Sequence, residues 1–177
     1  DGYTPHVIEM LYGTLTITGK GTIYQRYKTS AISVSSQSAL IIDGDDVTVK
    51  ADFTYGSLQF PTDSSRAISV DGGELEIRGG SFEATSGVAL EYTKGTVRLY
   101  GGSFGGMNIV TREYRLGDYV TINEGVTIVD FLAPGRTYAD ADGTALADCY
   151  VQSILDTVQV VAGLVPVPYV DENGNAD

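Results

Sequence analysis

Cysteine, histidine, tryptophan and positive charge are all scarce in this chain. Of its 177 residues, one is Cys (Cys149), one is His (His6) and none is Trp. A single cysteine excludes an internal disulfide and a Cys-based zinc cluster. One histidine leaves little room for a His-dependent triad or a multi-His metal site. Lys and Arg number 11 against 23 Asp and Glu, a formal net charge of −12. That balance argues against nucleic acid as a partner, because binding along a phosphate backbone rests on Lys and Arg. No apolar run approaches the roughly 18 residues of a membrane span, so no membrane insertion is expected of this segment. No basic stretch followed by an apolar one opens the chain. The acidic, Cys-poor composition points instead to an exported bacterial protein whose targeting signals lie elsewhere.

What is abundant is glycine (22), tyrosine (12) and, above all, repetition. Hydrophobic residues are 42% of the chain, enough for a packed core and too many for a disordered one. Four segments align without gaps: GTLTITG at 13–19, SALIIDG at 38–44, GELEIRG at 73–79 and GTVRLYG at 95–101. In each, apolar residues stand two apart and a glycine closes the word, the period of a strand with one buried face. Leu15, Leu40, Leu75 and Val97 form one expected column, and Ile17, Ile42, Ile77 and Leu99 a second. A strand word follows each closing glycine, with GGSF occurring at both 79–82 and 101–104. Another precedes each Leu word, with AISV occurring at both 31–34 and 67–70.

The Leu anchors are spaced 25, 35 and 22 residues apart. The long interval holds an insertion, 53–65 (FTYGSLQFPTDSS). A looser fifth unit covers 119–128. No helical periodicity of useful length appears. A repeat that cannot bury its own aliphatic columns must stack on its neighbours. The expected fold is therefore all-β: a right-handed parallel β-helix (solenoid) of about five coils, each of three short strands, with a C-terminal β cap. The coils are expected over about 7–130, the cap over 131–162, and a linker toward a further module over 163–177. An antiparallel sandwich would need hairpin signals between adjacent strands, and the turns here are Gly-Gly or Gly-x-Gly corners.

The GTLTITG, GGSF and AISV words, together with FLAPGRTYADADGT at 131–144, resemble the repeat modules of large surface proteins from Gram-positive gut bacteria. Those modules belong to the pectin-lyase-like group. The resemblance covers about residues 7–162. It implies an extracellular, cell-surface location and an adhesin-like layout, and it brings no catalytic motif and no cofactor with it.

Candidate binding residues come from two places. On the outward positions of the Leu words, stacking sets Glu76 beside Arg98, and Arg78 beside Asp43 and Tyr100. Such a line is either a sugar-binding or acid/base patch or an ordinary cross-strand ion pair with an Arg–Tyr stack. The second group is aromatic: Tyr24 and Tyr27 flank Arg26, and Tyr55 lies in the insertion. Exposed tyrosines suit sugar stacking and protein recognition. Asp140-Ala141-Asp142-Gly143 has the alternating carboxylates of a calcium loop without its Gly at 6 and Glu at 12. An Asp-Gly turn explains it, and no metal site is expected.

The functional expectation is a non-enzymatic extracellular module of a larger bacterial surface protein, an adhesin segment or rigid spacer. Its partners would be a glycan or surface protein and neighbouring modules of the same chain. The alternatives are a carbohydrate-binding module and a small polysaccharide lyase or glycosidase, so an enzymatic role stays open.

Overall fold

The computed structural model describes residues 6–27, 29–52, 65–85, 87–105, 128–146 and 157–163, and the backbone of 109–113 and 121–122. In chain order the strands are β1 (Ile8–Met10), β2 (Gly13–Thr18), β3 (Gly21–Gln25), β4 (Ser30–Ser35), β5 (Ser38–Asp43), β6 (Val47–Ala51), β7 (Arg66–Ile77) and β8 (Ser81–Ala84). After these come β9 (Val88–Leu99), β10 (Ser103–Gly105), β11 (Ile109–Glu113), β12 (Thr121–Ile122), a 3-10 turn (Ile128–Phe131), β13 (Arg136–Ala139) and β14 (Val158–Ala162). They form two sheets. An eight-stranded sheet has β1-β4-β7-β9-β11-β12 as its main path, with β2 and β5 joined alongside β7. A six-stranded sheet runs β13-β14-β10-β8-β6-β3.

The register that the repeat words predict is present strand by strand. Leu15 pairs with Leu40, Leu40 with Leu75 and Leu75 with Val97, all in parallel. Ile17, Ile42, Ile77 and Leu99 line up the same way. In the second sheet Ile23, Val49, Phe82 and Phe104 share one row, and the two phenyl rings stack with centroids 5.1 Å apart. Inward residues of both sheets meet in one hydrophobic cluster. Burying like on like gives each aliphatic side chain close contacts above and below, worth about 1.5–3 kcal/mol per buried Leu, Ile or Phe.

The architecture built on that register differs from the expectation. The chain does not form a right-handed parallel β-helix of five coils with three separate strands each. It forms two sheets, and the words at 67–70 and 88–92, expected as strands separate from the Leu words after them, run on into those as single 12-residue strands, β7 and β9. The glycines between those words make bulges, not corners. Pairing slips between Val70 and Glu74 and then resumes. Gly72 and Gly95 supply the positive φ (99° and 114°) that lets the strand bend while its ladder continues.

Parallel order also stops before the C-terminus. In the expected fifth unit, β12 pairs antiparallel with β11. β14 pairs antiparallel with both β10 and β13. The 3-10 turn leads Leu132 into a bridge beside Leu99, where Ala133 N–H donates to the Leu99 carbonyl (3.0 Å). Most of the insertion and nearly all of the expected linker lie outside the described residues.

Candidate functional site

The outward positions of β5, β7 and β9 gather charge because parallel pairing sets equivalent residues side by side. Glu76 lies opposite Ile41 on one side and Arg98 on the other. Arg78, one residue past β7, is held by its backbone N–H on the Ile42 carbonyl (2.9 Å). Its guanidinium donates from Nε to Glu76 Oε1 (2.6 Å) and from Nη1 to Asp43 Oδ2 (2.9 Å). Those hydrogen bonds, with Glu76 the larger influence, raise the guanidinium pKa still further. Both carboxylates are thus engaged by a fixed cation. Arg98 is exposed and makes no ion pair among the described residues, and Tyr100 beyond it is half-buried. This strip offers a cation in a fixed frame.

The second group sits at the end of β3, in the other sheet. Tyr24 and Tyr27 are 48% and 46% exposed. Tyr24 lies beside Lys50, which pairs with Glu83 on the next strand (3.4 Å). The Tyr24 hydroxyl reaches Asp52 Oδ2 at 3.4 Å. Arg26 lies over the Tyr27 ring, 5.7 Å from its centroid, a cation–π contact at an exposed position.

Sequence reasoning missed what holds this group. Gln25 is buried, and its Oε1 accepts from the backbone N–H of Arg26 (3.0 Å) and Tyr27 (3.3 Å) while Nε2 donates to Thr29 Oγ1 (2.9 Å). The signal was available, since period-two alternation from Ile23 turns residue 25 inward. The fold therefore brings Glu76, Arg98 and Tyr100 onto one strip and Tyr24, Arg26 and Tyr27 onto another sheet. Tyr55 lies outside the described residues.

A buried ion pair was also missed. Arg66 Nε and Glu91 Oε1 stand 2.7 Å apart with side chains 15% and 5% exposed. Nearby, Ser30 Oγ donates to Ser69 Oγ (2.8 Å). The Asp140 carboxylate is occupied by the backbone N–H groups of Asp142 (3.0 Å) and Thr144 (2.8 Å). That is an Asx turn, with Gly143 at φ 83°. His6 bonds through Nδ1 to the Ser30 carbonyl (3.0 Å), and Cys149 lies outside the described residues. Among the described residues no group of three or more His, Cys, Asp or Glu is placed to hold a metal ion. None of their helices is long and apolar enough to cross a membrane.

Compared with protein-family models, curated proteins and solved structures, the chain matches none.

Proposed function

We propose that the chain is a non-enzymatic structural module of a larger extracellular bacterial surface protein, working as a rigid spacer or adhesion segment. One observation carries this reading: the aliphatic columns run in register through four adjacent parallel strands without a break. A scaffold packed this way resists bending along the stack, as a spacer must, because interiors at crystal-like density have little room to deform. The outward charges support it too. Arg78 pairs with Asp43 on the neighbouring strand and with Glu76 two residues before it, which fits a solvated supporting face.

A second reading rests on its own observation. Tyr24, Arg26 and Tyr27 are exposed, the backbone of Arg26 and Tyr27 is held by a buried Gln25 and Tyr24 is set by the β3–β6 ladder, so the group is organised before any ligand arrives. A fixed aromatic pair with a neighbouring cation suits stacking on a sugar ring. A glycan array, run beside an assay for released sugar ends, separates the readings. The spacer shows no specific glycan binding and releases no reducing or unsaturated ends. Binding that is lost in both Tyr24→Ala and Tyr27→Ala makes the chain a carbohydrate-binding module. Released sugar ends make it an enzyme.

A further inference from the structure

The two tyrosines of the Tyr24–Arg26–Tyr27 group are not equivalent. The Arg26 guanidinium carbon lies over the Tyr27 ring, 5.7 Å from its centroid. One face of Tyr27 is therefore taken by a cation, which the ring quadrupole attracts. Among the described residues no cation lies over Tyr24. Its ladder neighbour Lys50 turns to Glu83 on the far side (3.4 Å). Tyr24 meets Asp52 only through its hydroxyl (3.4 Å). Tyr24 is thus the ring that can stack on a ligand, and Tyr27 is the ring that holds Arg26.

Arg26 also differs from the arginines that meet carboxylates. Arg78 spends its fork on Glu76 and Asp43, and Arg66 meets Glu91. Arg26 is exposed and makes no ion pair among the described residues. The carboxylates at the same end of β6 and β8 are turned elsewhere. Asp52 faces the Tyr24 hydroxyl, with its backbone N–H on the Gln25 carbonyl (2.8 Å), and Glu83 faces Lys50. A guanidinium carries its N–H donors around its rim, and contact through its face with Tyr27 leaves that rim open. The backbone beneath is fixed, since Gln25 Oε1 accepts from the N–H of Arg26 (3.0 Å) and of Tyr27 (3.3 Å).

We infer that this group takes an acidic sugar, a uronic acid within a glycan chain, with the sugar ring on Tyr24 and its carboxylate bidentate on Arg26. The inference rests on the carbohydrate reading of the same group and narrows it. A neutral sugar uses Tyr24 and leaves the fork empty. A carboxylate matches the planar fork and gains charge-assisted hydrogen bonds. The net charge of −12 opposes an anion at long range, but physiological salt screens that field beyond about 8 Å. Close to the site, Lys50 offsets Glu83 and the Tyr24 hydroxyl engages Asp52.

Calorimetric titration of the full chain tests this, with hexamers of mannuronate and of galacturonate, each beside its carboxyl-reduced counterpart. The members of a pair differ only in the charged group. The wild type should bind at least one uronate about tenfold or more tighter than its reduced counterpart, the scale of one charge-assisted contact. Arg26→Gln removes that preference and leaves binding of the reduced hexamer unchanged. Tyr27→Phe keeps the preference, Tyr27→Leu loses it, and Tyr24→Ala loses both ligands. All three side chains are exposed, and unchanged circular dichroism confirms that each variant is folded. A uronate preference that survives in Arg26→Gln overturns the proposal. So does Tyr24-dependent binding that is equal within every pair or confined to neutral glycans, and either result leaves the carbohydrate reading standing. No binding here or on a glycan array removes that reading, and this proposal with it.

Discussion

Two arginines in this molecule do different work, and burial is the reason. Arg66 meets Glu91 with both side chains largely out of water. Removing one member of such a pair strands a charge in a medium that cannot solvate it, which costs about 3–5 kcal/mol. Arg78 makes two contacts of similar length, but with its side chain about half exposed. Arg66→Ala should therefore lower the urea midpoint sharply, while Arg78→Ala should leave it nearly unmoved. Equal shifts would mean that the Arg66 pair is not buried in solution.

Tyr92 makes a third residue-scale case. It is 8% exposed, packs on Phe131 with centroids 4.9 Å apart, and donates its hydroxyl to the Gly95 carbonyl (3.1 Å). Burial raises its phenol pKa. A raised folded pKa means that the native state holds the proton more tightly than the unfolded state, whose value is about 10. This contribution to stability is full below pH 10 and falls away as pH rises through the folded value. Tyr92→Phe should flatten that alkaline decline in urea midpoints measured across the same range. An identical decline in both proteins would assign it to other groups.

At the scale of elements, the bulges decide the architecture. A Cβ built on Gly95 would collide with the Gly73 carbonyl oxygen on the neighbouring strand, and its φ of 114° disfavours any side chain. Gly13 also has a positive φ (85°), but nothing lies within 4 Å of its Cβ position. Gly95→Ala should thus cost more than Gly13→Ala, which carries only the left-handed backbone penalty of about 1–2 kcal/mol. Thermal melts of the two variants make the comparison, and equal losses would remove the close approach between β7 and β9 from the account.

These same glycines show where sequence reading stops. The Leu words and their register were legible because period-two patterning and literal repeats survive in the residues themselves. Whether a Gly-Gly pair turns the chain or only bulges it was not legible. Both uses ask for the same positive φ, and the choice depends on whether Ser35 and Lys94 are there to continue the ladder beside Asp71. The antiparallel pairing of β12 and β14 was hidden for a related reason, since short apolar strands carry no mark of direction. Among candidate residues, the Glu76–Arg98 neighbourhood followed from register. The Arg66–Glu91 pair stayed hidden because residues 88–92 are all buried, so no alternation of faces marks where Glu91 turns.

At the scale of the whole molecule, like residues are placed over like through the adjacent strands β2, β5, β7 and β9. The spacer reading depends on the parallel register of β2, β5, β7 and β9. Cysteine pairs read that register directly in a Cys149→Ser background. Ile41 and Glu76 are opposite one another on β5 and β7, whereas Glu74 stands opposite Ala39, two residues along. A disulfide tolerates Cα separations of roughly 4.4–6.8 Å, which adjacent paired residues satisfy and a two-residue offset does not. On mild oxidation, Ile41→Cys with Glu76→Cys should close an intramolecular bond in the folded chain, and Ile41→Cys with Glu74→Cys should stay reduced. Closure of the second pair in preference to the first, or of both equally, would contradict the stack.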